Sequence, residues 1–198
     1  SWGTALAQVL ADNKQEVIMW GIDPCEVEDI EVNHHNTKFF ETEINYDIHA
    51  STDLSVVADA DVVLAAVPTM ALEEVLTKAS QHLTKPAIII NVAKGFHPVT
   101  HERLSVVISK IVPTEKCAAI VSLIGPSHAE EVIQRLMTSV NAVSDNEEAA
   151  KTVQHLFSNQ YFRVYRNFDV IGAEIGVAIK NVMAIASGIL EGSGQGDN

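Results

Sequence analysis

The sequence predicts an α/β protein built on a doubly wound, mainly parallel sheet, followed by the first long helix of an all-α second domain. Short apolar runs alternate with amphipathic stretches along most of the chain, which is typical of repeated strand–helix units. Several runs are apolar throughout, such as Val62 to Val67 and Ala87 to Ile90, and this suits strands buried on both faces of a parallel sheet. Near Asp169 the alternation stops and one long helical pattern begins.

The individual elements follow from the spacing of apolar residues. Strands are expected at residues 16–20, 61–67, 87–92, 117–124, 139–143 and 162–165. Helices are expected at residues 3–11, 69–83, 100–111, 127–134 and 146–157. N-caps are expected at Thr69, Thr100, Ser127 and Asn146, whose side-chain oxygens can accept from free helix N–H groups. Residues 29–46 are polar and predict only a helix end and a loop.

The last part of the chain predicts a separate unit. Residues 170–190 form one helical pattern rich in small residues, and no strand pattern follows it. We therefore divide the chain into residues 1–166, the sheet domain, and residues 167–198, the start of a helical domain. A glycine-rich piece, residues 192–198, ends the sequence.

Composition narrows the class of protein. Apolar residues make up 47% of the 198 residues, enough for a real core, and the formal net charge of -13 disfavours nucleic acids and anionic membranes as partners. No uninterrupted apolar run approaches the roughly 18 residues that a membrane helix needs. Cys25 and Cys117 lie far apart in the sequence and show no metal-ligand or disulfide pattern. We therefore expect no metal site, and we expect a cytoplasmic location.

The beginning of the chain contains half of a possible dinucleotide-binding loop. Ser1, Trp2 and Gly3 precede a helix, and a glycine there lets the backbone approach a pyrophosphate held by free helix N–H groups. A helix end with an incidental glycine explains the same residues equally well.

An acidic residue follows the next expected strand. Asp23 stands about 20 residues after Gly3, where a carboxylate can bind the ribose hydroxyls of a dinucleotide. Asp23 also precedes Pro24, and Asp-Pro is a common helix start. We favour the capping role.

A lysine follows the expected strand at residues 87–92. Lys94 would therefore lie at the carboxyl edge of the sheet, where doubly wound folds bind ligands, and Gly95 permits a sharp turn. Lys94 can contact a substrate anion or carbonyl, although a solvated loop lysine fits the position as well.

The segment Gly125-Pro126-Ser127-His128-Ala129 also links a strand to a helix. Ser127 can cap that helix, and free N–H groups behind it can bind an anion. A histidine in an exposed first turn is usually incidental, so we do not expect His128 to be catalytic.

The sharpest signal lies in the long helix. Gly172, Gly176 and Lys180 are four residues apart and share one face. The glycines would let a backbone or ligand approach closely, and a lysine on so small and apolar a face is partly withdrawn from water, which suits proton transfer. The alternative is a lysine whose stem packs while its ammonium reaches solvent.

Taken together, these segments resemble the glycerol-3-phosphate dehydrogenase family. The matching segments, in chain order, are Ser1-Trp2-Gly3-Thr4-Ala5, Trp20-Gly21, Ala66-Val67-Pro68, Ala93-Lys94-Gly95, Gly125-Pro126-Ser127-His128-Ala129-Glu130-Glu131-Val132, Phe162-Arg163-Val164-Tyr165, Asp169-Val170-Ile171-Gly172, Ile179-Lys180-Asn181-Val182 and Gly196-Asp197-Asn198. Each segment alone is modest, but their order and spacing are specific and run through nearly the whole chain.

The resemblance implies a Rossmann-like cofactor domain followed by a helical substrate domain. It implies an oxidoreductase that interconverts dihydroxyacetone phosphate and sn-glycerol 3-phosphate with NAD or NADP, feeding glycerophospholipid synthesis. By resemblance, Lys180 is the proton donor and acceptor and also contacts substrate, and Lys94 contacts both substrate and cofactor. Gly125 and Ser127 would contribute to the substrate pocket. The remaining cofactor contacts would be Ser1, Trp2, Gly3 and Ala129.

Three departures from the family pattern affect these expectations. The first strand with its leading glycines, and the family's downstream acidic residue and Arg-Asn phosphate contact, are not in the sequence, so we expect a chain truncated at both ends and itself inactive. Ile22 stands where bacterial members that use NADPH often carry a basic residue, which leaves NAD and NADP both open. Association into a homodimer is also open.

Two other functions fit the pattern. A β-hydroxyacid or 6-phosphogluconate-type dehydrogenase also carries a lysine on the first long helix after its cofactor domain, and a substrate panel would separate it. A nucleotide-binding module without catalysis is the other alternative, and the codons flanking the gene segment would distinguish it.

Overall fold

A computed structural model describes residues 1–194, and the Gly196-Asp197-Asn198 segment lies outside the described residues. The helices are α1 (Trp2–Asp12), α2 (Pro24–Asn33), α3 (Leu72–His82), α4 (Leu104–Ile111), α5 (Ala129–Ile133), α6 (Glu147–Phe157) and α7 (Val170–Gly192). The strands are β1 (Val17–Trp20), β2 (Ile48–Ser51), β3 (Val62–Ala65), β4 (Ala87–Asn91), β5 (Cys117–Ile124), β6 (Thr138–Val143) and β7 (Phe162–Asn167).

The strands form two sheets, of which the larger has the order β3-β4-β5-β6-β7 and the smaller pairs β1 with β2. All neighbouring strands are parallel except β5 and β6, which are antiparallel. The predicted mainly parallel α/β architecture, followed by a long helix, is therefore confirmed.

Helices cover both faces of the larger sheet, which explains the continuous apolar runs. Successive residues of β4 point to opposite faces. Ile90 packs in a core with residues of α1, α5 and α6, whereas Ile89 packs in a second core with residues of α3 and α4. Because both faces are dry, an alternating polar pattern would bury unpaired polar groups.

Strand β2 was missed by the sequence prediction. It is only four residues long, includes the polar His49, and pairs with β1 alone. Ile48 is its one fully buried side chain, so the segment lacks the apolar run that identified the other strands.

One of the four predicted N-caps is confirmed: the Asn146 side chain accepts from the backbone N–H of Ala149 at 3.0 Å. The other three are wrong. Thr69 lies in a short 3-10 turn before α3 and donates to the Lys94 carbonyl at 3.0 Å. Thr100 contacts His97 in a loop that precedes α4, and α4 begins after Arg103. Ser127 is buried one residue before the actual cap position of α5, His128.

Helix α7 is an exception to the prediction that no segment of the chain is long and apolar enough to cross a membrane. By length and composition it could cross a membrane, because its best 18-residue window has a mean hydropathy of 1.5 and is only 6% buried. Counting uninterrupted runs overlooked it because Glu174 and Lys180 divide the apolar sequence. Glu174 is buried against protein partners, which favours a helix packed on protein over one in lipid.

A polar cluster around Asp12 joins the end of α1 to three loops. The Asp12 carboxylate accepts from Arg135 Nε at 2.8 Å, Tyr161 Oη at 2.7 Å and Asn45 Nδ2 at 3.1 Å. Burial alone would raise the pKa of Asp12, but these hydrogen bonds and the Arg135 charge outweigh it and hold the pKa below its ordinary value. Burial and the Asp12 contact raise the pKa of the Tyr161 hydroxyl.

We predict that Asp12→Ala lowers the free energy of unfolding by about 1–2 kcal/mol at pH 7, because Tyr161 and Asn45 lose a partner. The folded-state pKa of Asp12 is lowered, so its contribution is complete above the unfolded pKa of about 3.9 and is lost as pH falls through the folded value. Urea unfolding at pH 7 and pH 3 measures this. The difference between variant and parent should shrink at pH 3, while Asp145→Asn, at an exposed position, should match the parent throughout.

Candidate functional site

The predicted site residues gather where β3, β4 and β5 end. These three strands are parallel, so the loops that follow Ala65, Asn91 and Ile124 leave the sheet at one edge. This is the edge at which doubly wound folds bind ligands. Lys94, Gly125 and Ser127 all lie in these loops.

The first turn of α1 reaches the same edge. A Cβ added at Gly3 would lie 3.2 Å from the Cβ of Ala66, so the glycine allows α1 to approach the loop after β3 closely. Helix α1 also packs against α5, whose first residue, Ala129, is buried in their shared core. The structure therefore brings the predicted cofactor residues Ser1, Trp2 and Gly3 into the neighbourhood of Ala129.

Two side chains, those of Asn91 and Thr69, form hydrogen bonds to the backbone of the loop that carries Lys94. The Ala93 N–H donates to the Asn91 side chain at 3.1 Å, and Thr69 donates to the Lys94 carbonyl at 3.0 Å. Gly95 has a φ of +100°, a conformation that favours glycine, so the predicted turn is present. These contacts fix the backbone of the loop, and the Lys94 side chain is exposed.

The turn after β5 is tightly packed around two predicted residues. A Cβ at Gly125 would lie 3.0 Å from the Ser139 carbonyl oxygen and 3.1 Å from the Val140 Cα, so the neighbouring strand leaves no room for a side chain. The Ser127 side chain is only 7% exposed, and its Oγ has no hydrogen-bond partner among the described residues. A buried hydroxyl without a partner is costly and marks a position at which a bound ligand can supply one.

One expectation about this turn needs correction. Helix α5 has five residues, shorter than the predicted 127–134, so its N-terminus is a weaker anion site than the sequence suggested. His128 is exposed and occupies the N-cap position without a side-chain capping bond, consistent with the expectation that it is incidental.

Lys180 lies on α7 and is half-buried. Partial burial lowers the pKa of the Lys94 ammonium, and the positive charge of Lys180 lowers it further. The charge of Lys180 thus acts on the ammonium of Lys94, although the two residues are 86 positions apart in the sequence. Like charges repel, so an anion placed between them would gain from both.

Gly172 and Gly176, which share a face of α7 with Lys180, do not provide the close approach that the sequence predicted. A Cβ at Gly176 would meet nothing within 4 Å in the described part of the chain, so nothing described there uses the space it leaves. Gly172 serves the helix cap instead: its N–H binds the Asp169 carboxylate at 2.8 Å, and a Cβ there would lie 2.2 Å from an Asp169 oxygen.

Asp23 is the N-cap of α2, as favoured from the sequence. Its carboxylate accepts from the Cys25 N–H at 3.1 Å and forms an ion pair with Lys38, also at 3.1 Å. Pro24 occupies the first turn, where its missing N–H costs nothing.

Sequence reasoning missed one polar group near the site. Glu174 on α7 is 5% exposed and accepts hydrogen bonds from Arg103, Ser105 and Ser122. A signal was available: Glu174 is the only acidic residue among residues 170–190, and an isolated carboxylate in an apolar helix requires partners if it is buried.

Two surface hollows lie away from these residues. One, of about 440 Å³, is lined by residues of α2 and the loop after it, including Asp23 and Lys38. The other, of about 350 Å³, is lined by Arg135 and residues 43–46. Neither hollow includes Lys94, Ser127 or Lys180.

We predict that Lys180→Met raises the pKa of Lys94, because it removes the neighbouring positive charge while leaving the partial burial of Lys94 in place. NMR titration of the chain with ¹³C-methylated lysines measures this pKa directly. Lys151→Met, which removes an exposed charge on α6, is the matched control. An unchanged Lys94 titration in the Lys180 variant would contradict the proximity of the two ammonium groups.

Comparison with known proteins agrees with this geometry. Residues 1–150 match the family model described as NAD-dependent glycerol-3-phosphate dehydrogenase N-terminus, and residues 169–198 match the model described as its C-terminus. Glycerol-3-phosphate dehydrogenase [NAD(P)+] of Enterococcus faecalis is 47% identical, and that of Streptococcus uberis is 48% identical. Each alignment covers 100% of this chain, which spans 59% of the relative's length.

Solved structures give the same result. The glycerol-3-phosphate dehydrogenase of Coxiella burnetii superposes with a TM-score of 0.88 at 31% identity, covering 100% of this chain and 60% of that one. The Plasmodium falciparum enzyme gives 0.90 at 25% identity, covering 100% and 58%. A UDP-D-ManNAc dehydrogenase from Pyrococcus horikoshii, with a TM-score of 0.71 at 13% identity and coverage of 92% and 48%, shares the fold alone. The matched family models and these relatives together show that the chain belongs to the NAD-dependent glycerol-3-phosphate dehydrogenase family.

Proposed function

We propose that the protein of which this chain is part interconverts dihydroxyacetone phosphate and sn-glycerol 3-phosphate by hydride transfer with NAD(H) or NADP(H). The observation that carries the proposal is the convergence of the loops after β3, β4 and β5 on one edge of the sheet, where Lys94 and Ser127 lie. Lys180 of α7 is close enough to Lys94 for its charge to lower the pKa of Lys94. The named relatives carry the same activity in their names, and this chain spans 59% of their length.

The lysines suit the chemistry of ketone reduction. Addition of hydride builds negative charge on the carbonyl oxygen, and a nearby ammonium stabilises that charge and supplies the proton. We assign the proton transfer to Lys180 and contact with both substrate and cofactor to Lys94. The protein's formal charge is -13, so an anionic substrate depends on such local positive groups.

The residues at the edge also fit a dinucleotide. Gly3 lets the first turn of α1 lie close to the loop after β3, and that turn carries no acidic residue to repel a pyrophosphate. We assign cofactor contacts to Ser1, Trp2, Gly3, Lys94 and Ala129. The bound cofactor supplies the hydride, and the chain's residues supply position and field.

The substrate pocket would be completed by Gly125 and Ser127. Ser127 Oγ is buried and has no hydrogen-bond partner within residues 1–194, so a polar ligand that reached it could supply one, and Gly125 keeps the β5 turn close to the sheet. In keeping with the resemblance, we assign the division between cofactor and substrate domains to residues 166 and 167, next to the end of β7.

Location and assembly remain predictions. Both Cys25 and Cys117 are free, which fits the reducing cytoplasm. Synthesis of glycerophospholipids would consume the product there. Light scattering of the natural full-length protein would decide between a monomer and a homodimer.

We predict that Lys180→Ala, made in the natural full-length protein, lowers turnover about 100-fold or more, because the carbonyl oxygen loses its proton donor. The assay is oxidation of NADH and of NADPH dependent on dihydroxyacetone phosphate. The comparison panel is the same oxidation with β-keto acids, and the reduction of NAD+ and of NADP+ by 6-phosphogluconate. Lys151→Ala controls for loss of an exposed positive charge. Undiminished turnover in the Lys180 variant would remove this residue from the mechanism.

We also predict that Ser127→Ala raises KM for dihydroxyacetone phosphate about 2- to 10-fold, the cost of one lost hydrogen bond, with little change in KM for the cofactor. Initial-rate kinetics with each substrate varied in turn separate the two constants. Ser109→Ala, on the exposed side of α4, is the control. An unchanged KM for dihydroxyacetone phosphate would show that Ser127 has only a structural role.

A further inference from the structure

Helix α7 is held on the sheet domain by a single buried side chain. Of its 23 residues only Glu174 is buried, while apolar residues such as Ile175 and Ile179 remain exposed. Its placement relative to the rest of the chain therefore depends on the contacts of this carboxylate more than on apolar packing.

The contacts use both oxygens of Glu174 and reach two elements. Oε1 accepts from Ser122 Oγ on β5 at 2.8 Å and from the Ser105 backbone N–H at 3.3 Å. Oε2 accepts from Ser105 Oγ at 2.7 Å and from Arg103 Nη1 at 3.0 Å. Four donors converge on one carboxylate, which is the condition under which a buried charge becomes favourable.

The same carboxylate supplies the cap that α4 lacks. Arg103 occupies the N-cap position of α4 without a capping bond from its own side chain, and Ser105 has the second free N–H of that helix. Glu174 accepts from this N–H, and a negative charge at a helix N-terminus is also favourable to the helix dipole. Helix α7 is thus joined to both β5 and the beginning of α4.

The sheet relates this anchor to the loop of Lys94. Ser122, which binds Glu174, is the register partner of Asn91, the last residue of β4. The Asn91 side chain in turn accepts from the Ala93 N–H and orders the loop that carries Lys94. Lys94 lies three residues after Asn91. Lys180 lies six residues after Glu174, the residue that binds Ser122, and six residues correspond to about 9 Å of helix rise.

We propose that Glu174 is a positioning residue: by binding Ser122, Ser105 and Arg103 it fixes α7 on the Asn91–Ser122 strand pair and so holds Lys180 beside Lys94. The proposal rests on the proposed function, in which Lys180 transfers the proton. Glu174 itself takes no part in the chemistry.

The first test uses the 198-residue chain and needs no activity. Removal of a negative charge would by itself lower the pKa of a nearby lysine, whereas loss of Lys180 from its place would raise the pKa of Lys94. We therefore expect Glu174→Ala to raise the Lys94 pKa toward the value found in Lys180→Met, measured by the same ¹³C-methyl titration. Glu191→Ala, which removes an exposed carboxylate from the same helix, is the control. A Lys94 pKa in the Glu174 variant that is unchanged or lowered would overturn the proposal.

The second test uses kinetics of the natural full-length protein. Glu174→Ala should lower kcat about 10- to 100-fold while KM for the cofactor stays near the parent value, because a displacement of order 1 Å at a reacting group has effects of this size. Glu174→Gln keeps the shape and one acceptor oxygen and should restore part of the loss. Ser122→Ala, which removes one of the four contacts, should give a smaller decrease and stands in if the alanine variant does not fold.

The outcomes separate this proposal from the proposed function. If Lys180→Ala is inactive but the Glu174 and Ser122 variants keep the parent kcat, positioning by Glu174 is overturned and the dehydrogenase assignment stands. If Lys180→Ala keeps full turnover, the assignment of proton transfer to Lys180 fails, and the Lys94 titration still decides whether Glu174 holds α7 in place. If the parent protein shows no oxidation of NADH or NADPH dependent on dihydroxyacetone phosphate, the proposed function itself fails.

Discussion

A buried carboxylate must find donors for both of its oxygens, and in this chain that requirement determines how helix α7 is attached to β5 and α4. Glu174 meets it with Ser105, Ser122 and Arg103, which belong to two different elements of the sheet domain. Apolar packing is not directional, and a helix held by it alone can slide or rotate at little cost. Hydrogen bonds of defined length from both sides restrict such motion, so a polar anchor gives α7 a definite register on the sheet.

That register has an electrostatic consequence. Partial burial lowers the pKa of Lys94, and the like charge of Lys180 lowers it further. A bound anion near both lysines would be attracted by each of them and would offset their repulsion. In a chain with a formal charge of -13, such a local positive pair also selects where an anion can bind at all.

The sequence alone was sufficient for the architecture and for the positions of most elements, because the apolar runs of β3, β4 and β5 reflect burial on both faces. It failed where a long-range contact replaced a local one. Thr100 looked like the cap of α4, but the carboxylate that caps this helix comes from Glu174, 74 positions later in the numbering. Strand β2 was missed because its pairing with β1, and not its own four residues, makes it a strand.

The site shows the same division. Local chemistry identified Lys94, Gly125, Ser127 and Lys180 one by one, since each stands at a strand end or on an otherwise apolar helix face. The distances between them come from strand register and helix docking, which no local pattern encodes. Glu174 illustrates the difference: its type and isolation in an apolar helix were visible in the sequence, but its partners were not. A proton donor is effective only when its distance from the reacting atom is constrained. For a buried polar residue near a candidate catalytic lysine, the first role to test is therefore that it fixes the helix carrying the lysine.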